Sequence, residues 1–235
     1  MDPYSHSTDI PLSVIAATTP YLEPEPVTLP DGRRATIYPF FRAQESESIE
    51  VCAEEKRVTV EEERFDVLGK VLWRMFNREI EEGKTYPQIN TLEYEEFKGY
   101  WFASFTAVML LDTDTPQDNL TTDIESRCLG TFYVKPNYIG RCGHVCNAGF
   151  LVSDKARGQG VGKTLGKQYV QWAPKLGYKS SIFNLVFETN VASQRIWDRL
   201  GFEKVGRVKK AAFVKGYSEE RGLVDAFIYY YEFTE

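Results

Sequence analysis

Between residues 60 and 82, apolar side chains recur at Phe65, Leu68, Val71, Leu72, Met75, Phe76 and Ile80. Most of these spacings are three or four, which places them on one face of an amphipathic helix that Gly83 can end. The same period runs through Val161, Leu165, Tyr169, Trp172 and Leu176 and predicts a helix over 160–176. Further helices are expected at 191–200 and, shorter, near 94–102. Apolar and β-branched runs bounded by turn residues predict strands at 34–39, 103–111, 129–134, 147–152, 181–187, 204–208 and 226–233. An acidic, Asp/Thr-rich stretch at 112–126 reads as a solvated loop. Residues 1–30 carry Pro3, Pro11, Pro20, Pro24, Pro26 and Pro30 with no period. They are expected to form an extended arm ahead of a single domain at 31–235.

Strand, glycine-rich turn, helix and strand follow one another within 147–187. That order is a βαβ unit, whose two strands lie parallel with a right-handed crossover. The remaining strands are joined by connections that permit antiparallel pairing, so the expected fold class is α/β, a mixed sheet flanked by helices.

Composition narrows the function. With 43% apolar and 14% aromatic residues in 235, a packed core is expected rather than disorder. A net charge of −6 without a basic block argues against a nucleic-acid partner. No apolar run is long enough to span a membrane, and residues 1–25 lack a secretory pattern, so the expected location is cytoplasmic. Cys142-Gly143-His144-Val145-Cys146 invites a metal reading, but the only other histidine is His6. Zinc takes four ligands, so reduced thiols and no metal are expected.

The chemistry is carried by Phe150-Leu-Val-Ser-Asp-Lys-Ala-Arg157-Gly158-Gln159-Gly160-Val161-Gly162-Lys163, in which a strand ends and alternate glycines open a helix. Glycines allow positive φ and close approach of a ligand to the backbone. Amide N–H groups at a helix N-terminus attract anions, and a pyrophosphate suits them. A phosphate loop of the Walker type needs glycine where Arg157 stands, and the dinucleotide fingerprint needs glycine where Lys163 stands.

The pattern Arg157-x-x-Gly160-x-Gly162 after a strand resembles the acetyl-CoA signature of the GCN5-related N-acetyltransferases. So does a second block, Asn190-Val-Ala192-Ser193-Gln-Arg-Ile196-Trp197-Asp-Arg-Leu200-Gly201-Phe202, in which Asn190 can cap a helix and Gly201 can end it. The resemblance implies a sheet whose central parallel strands splay apart. Acetyl-CoA would pair with the backbone of Phe150, Leu151 and Val152 and rest its phosphates on Arg157, Gly158, Gln159, Gly160, Val161, Gly162 and Lys163. Many relatives place a Glu on the first splayed strand as base and a Tyr in the second block as acid. Here Cys146-Asn147-Ala148-Gly149 holds no carboxylate, and Trp197 fills the aromatic position. Tyr169, Glu188 and the run Tyr229–Tyr231 are the remaining candidates to move a proton.

Gly83-Lys-Thr-Tyr-Pro-Gln88, Leu129-Gly-Thr-Phe-Tyr-Val-Lys-Pro-Asn-Tyr138, Cys146-Asn-Ala-Gly-Phe-Leu-Val152, Trp172-Ala-Pro-Lys-Leu-Gly-Tyr-Lys179 and Ser181-Ile-Phe-Asn-Leu-Val-Phe187 are similar to the fungal azetidine-2-carboxylate N-acetyltransferases. That likeness covers roughly residues 80–230. It implies a homodimer acting on a proline analogue, with substrate recognition at Asn147 and thioester contact, the catalytic role, at Asn190. Asn184 and Leu185 lie mid-strand beside the expected splay, and their backbone N–H groups are expected to bind the same substrate carboxylate. A peptide acetyltransferase and a non-catalytic acetyl-CoA-binding module are the competing readings.

Overall fold

The computed structural model of the chain describes residues 21–42, 49–53, 56–114 and 123–233. Its strands are β1 (Glu25–Thr28), β2 (Arg34–Arg42), β3 (Ile49–Ala53), β4 (Lys56–Thr59), β5 (Phe105–Leu111), β6 (Cys128–Pro136), β7 (Val145–Val152), β8 (Ser180–Phe187), β9 (Glu203–Ala212) and β10 (Val224–Glu232). They form one ten-stranded sheet in the order β4-β3-β2-β5-β6-β7-β8-β10-β9, with β1 alongside β2. Every pairing is antiparallel except β7 with β8, the two strands of the expected βαβ unit.

Helices cover both faces. Alternate residues of each central strand therefore meet apolar partners, which explains why these strands read as nearly continuous apolar runs. One face packs Phe105, Ala107, Met109, Phe132 and Val134 against Leu165, Tyr169 and Trp172 of α4 (Val161–Lys175) and Trp197 of α5 (Val191–Leu200). The other packs Phe40, Val108, Leu110, Tyr133 and Leu151 against α1 (Glu62–Glu82) and α2 (Tyr94–Trp101). Short helices α3 (Ile124–Arg127) and α6 (Ser218–Arg221) lie in connections.

The N-terminal expectation is corrected for its last third. Residues 1–20 lie outside the described residues. Glu25–Thr28, however, pair with Arg34–Ile37 of β2, and Leu22 and Leu29 are buried in the α4-side core. The prolines that hid this strand sit on a sheet edge, where a missing N–H is tolerated. The acidic stretch is likewise not all loop: its end forms α3, whose Ile124 is buried against the α1-side core.

Candidate active site

The loop between β7 and α4 is shaped by glycine. Gly158 and Gly160 have φ of 76° and 86°, a left-handed region that side chains avoid. A Cβ at Gly160 would stand 2.8 Å from Cγ of Pro30, and one at Gly162 would stand 3.1 Å from Cδ1 of Ile196. The first intrahelical bond of α4 runs from Thr164 N–H to Gly160 C=O at 3.0 Å. The N–H groups of Gly160, Val161, Gly162 and Lys163 ahead of it have no partner within the chain among the described residues. Four clustered donors at the positive end of a 15-residue helix form an anion cradle.

Two polar side chains of this loop tie it to neighbouring elements. Arg157 is ion-paired with Glu79 of α1, with Asp154 at 3.0 Å and with Glu82 at 3.7 Å. Its guanidinium thus ties the loop to α1, and only its backbone borders the cradle. Gln159 accepts from the Arg33 guanidinium and donates to the Lys155 carbonyl. The β1–β2 turn is therefore fastened to the loop through Arg33 as well as Pro30.

The second feature is a fork. β7 and β8 pair only at Val145↔Ser180 and Cys146↔Ser181, and then separate. On the other edge of β7, Val145 accepts from Asn137 N–H and Ser153 donates to Leu129, so odd-numbered residues exchange main-chain bonds with β6. Antiparallel pairing alternates, and Ala148, Phe150 and Val152 therefore turn their N–H and C=O groups into the open gap. This corrects one expectation. Leu151 faces β6 with its backbone and the α1–α2 core with its side chain, so it has nothing to offer a ligand in the gap. Phe150 is available only in part, because its carbonyl accepts from the hydroxyl of Tyr86 at 3.0 Å.

Tyr169 braces the base of the fork. Its hydroxyl donates to Ser181 Oγ at 2.6 Å and lies 3.0 Å from Cys146 Sγ, joining the last paired residues of the two strands. Burial pushes the Cys146 thiol up to about 12 and the Tyr169 hydroxyl well above its ordinary value. Both stay protonated at neutral pH. Among the described residues no group of three or more His, Cys, Asp or Glu is placed to hold a metal ion.

At the separation point three asparagines meet. Asn147 Nδ2 donates to Ile182 C=O at 3.0 Å and to Asn137 Oδ1 at 3.1 Å, and Asn184 Nδ2 donates to Asn137 Oδ1 at 2.6 Å. Asn184 and the 44%-exposed Leu185 have no partner in the β8–β10 register, which shifts opposite them between Phe227 and Tyr229. Further along, Asn190 caps α5 by accepting from Ser193 N–H at 3.1 Å, with Gly201 in the left-handed region at the other end. Its Nδ2 has no partner among the described residues.

The model of the acetyltransferase (GNAT) family matches residues 74–202, which contain both the cradle and the fork. N-acetyltransferase aca1 of Schizosaccharomyces pombe is 43% identical over 171 residues, covering 71% of this chain and 80% of that protein. The chain belongs to the GNAT family. A GCN5-related N-acetyltransferase from Kribbella flavida superposes with a TM-score of 0.61 at 26% identity, over 71% of this chain and 93% of that one. The fold is also that of yncA from Salmonella typhimurium, solved with its cofactor acetyl-CoA (TM-score 0.59, 13% identity, 73% and 91% covered).

The GNAT chain is thus an acetyl-CoA-dependent N-acetyltransferase, and the cradle's chemistry fits the group: unpartnered N–H donors at a helix N-terminus are what a pyrophosphate asks for. Three of the residues expected to move a proton, Tyr169, Glu188 and Tyr229, are engaged in bonds within the chain. Tyr169 is locked at the fork base. Glu188 accepts from Asp225 N–H at 3.1 Å and pairs with Arg207. Of the Tyr229–Tyr231 run, Tyr229 donates to Asp198 at 3.0 Å and Tyr231 packs on Phe202. The Trp197 indole N–H is also committed, to Ser193 Oγ at 2.7 Å. Sequence reasoning missed Asn137 and Tyr86. Both lie in segments it had quoted, but Lys-Pro-Asn-Tyr reads as an ordinary turn, and nothing local in Thr-Tyr-Pro points to a partner 64 residues away.

Proposed function

We propose that this enzyme acetylates the ring nitrogen of a small cyclic imino acid, azetidine-2-carboxylate or another proline analogue, in the cytoplasm and as a homodimer. The observation that carries this reading is a strap across the acceptor side of the fork. The β9–β10 connection packs Val214 beside Phe187 at the end of β8. It then crosses to the end of α1, where Lys215 N–H donates to Gly83 C=O at 3.0 Å and Lys215 Nζ to Glu81 C=O at 3.1 Å. Tyr86 reaches in from the same corner. A cleft bridged in this way suits a compact acceptor better than an extended peptide lying along an open groove.

The polar groups fit as well. A ring nitrogen beside a carboxylate asks for uncharged donors and acceptors, and Asn147, Asn184, Leu185 main chain and Asn190 supply them without a competing carboxylate. The ring ammonium first gives one proton to water; the neutral nitrogen attacks the acetyl carbonyl, the C–S bond breaks with CoA leaving as the thiolate, and the second nitrogen proton then passes to water. The unpaired Asn190 Nδ2 is the donor suited to the sulfur that departs.

The test is release of free CoA, read with a thiol reagent, from acetyl-CoA mixed with azetidine-2-carboxylate, proline or a histone-tail peptide. Release with azetidine-2-carboxylate and not with peptide is expected, and Asn147→Ala then raises the acceptor KM. Release with peptide alone overturns the substrate. Acetyl-CoA binding with no release on any amine favours the binding-module reading. Light scattering on the eluted peak checks the dimer.

A further inference from the structure

Asn137 follows β6 on the turn into β7, and its side chain is buried, with only 7% of the residue exposed. Its Oδ1 accepts two bonds, from Asn147 Nδ2 on β7 and from Asn184 Nδ2 on β8. Its own Nδ2 donates back to Asn184 Oδ1 at 3.4 Å. The orientation of all three amides follows from one fixed point. Ile182 C=O can only accept, so the Asn147 atom facing it is nitrogen. The Asn137 atom facing that nitrogen must then be oxygen, and the Asn184 atom facing the same oxygen must be nitrogen.

The position of this cluster is as informative as its bonds. The ladder between β7 and β8 stops at Cys146↔Ser181, and Asn147 and Ile182 are the next residues. At this one rung beyond the ladder, amide side chains bridge the two strands, through the Ile182 carbonyl and through Asn137 as the shared acceptor. Both Asn147 protons are spent, which leaves its Oδ1 and one Asn184 proton without a partner among the described residues. An amide that is buried and bonded on both sides has one orientation available, and residues packed around it inherit that orientation.

We infer that Asn137 is a positioning residue for the amine acceptor: it fixes which atoms Asn147 and Asn184 present at the fork, and so sets acceptor affinity and preference without touching the acetyl group. The inference rests on the acetyltransferase reading of the fork and adds a residue to it.

The experiment compares Asn137→Leu and Asn137→Asp with the wild-type chain. Acetyl-CoA affinity is measured by calorimetry, and KM and kcat are measured separately on whichever acceptor the wild type takes. Leucine is near in size and removes the shared acceptor. It is expected to raise acceptor KM about tenfold or more, the range for losing a buried hydrogen-bonded orienting group, while kcat and acetyl-CoA Kd stay within about threefold. Aspartate keeps the acceptor for both neighbours and adds a negative charge. It is expected to raise KM for azetidine-2-carboxylate while leaving carboxyl-free azetidine near the KM of the wild type. Unchanged acceptor KM in both variants overturns the inference, as does an equal weakening of acetyl-CoA in Asn137→Leu. If that variant does not fold, wild-type behaviour of Asn137→Asp on both acceptors overturns it alone. Failure of the imino-acid reading shows separately, in the acceptor range of the wild type.

Discussion

The two sides of the fork are built from different materials. The proposed acetyl-CoA side is made of main chain: four N–H groups at the start of α4, unpartnered among the described residues, and the inward-facing backbone of Ala148, Phe150 and Val152. What the sequence must supply there is mostly the absence of side chains, and glycine spacing records that absence directly. The proposed acceptor side is made of side chains and a strap drawn from four separate stretches: Tyr86, Asn137 with Asn147, Asn184 with Leu185, and Lys215. A site built of backbone leaves a compact signature, while one built from scattered amides leaves residues that each look like turn or cap formers.

This contrast can be broken most forcefully on the backbone side. Gly160→Asp places a carboxylate against the cradle, and acetyl-CoA Kd is expected to rise about a hundredfold or more in calorimetry, since like charge in a partly desolvated anion site is heavily disfavoured. Gly160→Ala separates the contributions. It shares the positive φ and the Pro30 contact but not the charge, and it should lose much less affinity. Equal losses would mean that sterics, and not an anion, govern the loop.

Asn190 tests the junction between the two sides. Asn190→Asp retains the oxygen that caps α5 and removes the free N–H. Melting temperature is therefore expected to hold, while kcat falls about 10-fold to 100-fold, in the range for removing one donor to a developing charge. A kcat near that of the wild type would leave Asn190 a cap and nothing more.

The smallest effect is expected from Arg157, the residue that most marks the signature. Its guanidinium serves α1, where Glu79 is nearly buried and also accepts from Thr85 at 2.6 Å. Arg157→Ala should cost about 1–3 kcal/mol in urea denaturation, as expected when a partly exposed charge-assisted pair is lost and its buried partner is left alone. Acetyl-CoA Kd should move by less than about threefold. A large loss of affinity with intact stability would return Arg157 to the ligand.

The same division explains what could be read beforehand. Helices α1, α2, α4 and α5 were legible to within a residue or two because their apolar faces keep a strict period over two to six turns. The βαβ unit followed from order alone. β1 was hidden by its own prolines, and α3 by the acidic loop it ends. Leu151 was grouped with its neighbours because a run of three residues carries no phase. Only the bonds Asn137–Val145 and Ser153–Leu129 reveal which residues face the gap. Asn147 and Asn190 could be singled out because their neighbours lie in recognisable blocks. The role of Asn137 depends on Asn184, 47 residues away, and no local pattern encodes that distance.

The fastening of the β1–β2 turn to the nucleotide loop bears on how such a chain can diverge. The family pattern begins at residue 74, yet Pro30 leans on Gly160 and Arg33 holds Gln159 from a segment more than 40 residues earlier. Substitutions in that least recognisable stretch can retune the grip on the nucleotide while every signature residue stays in place. Two descendants with identical loops would then differ in acetyl-CoA affinity, and a comparison confined to the shared pattern would rank them as equals.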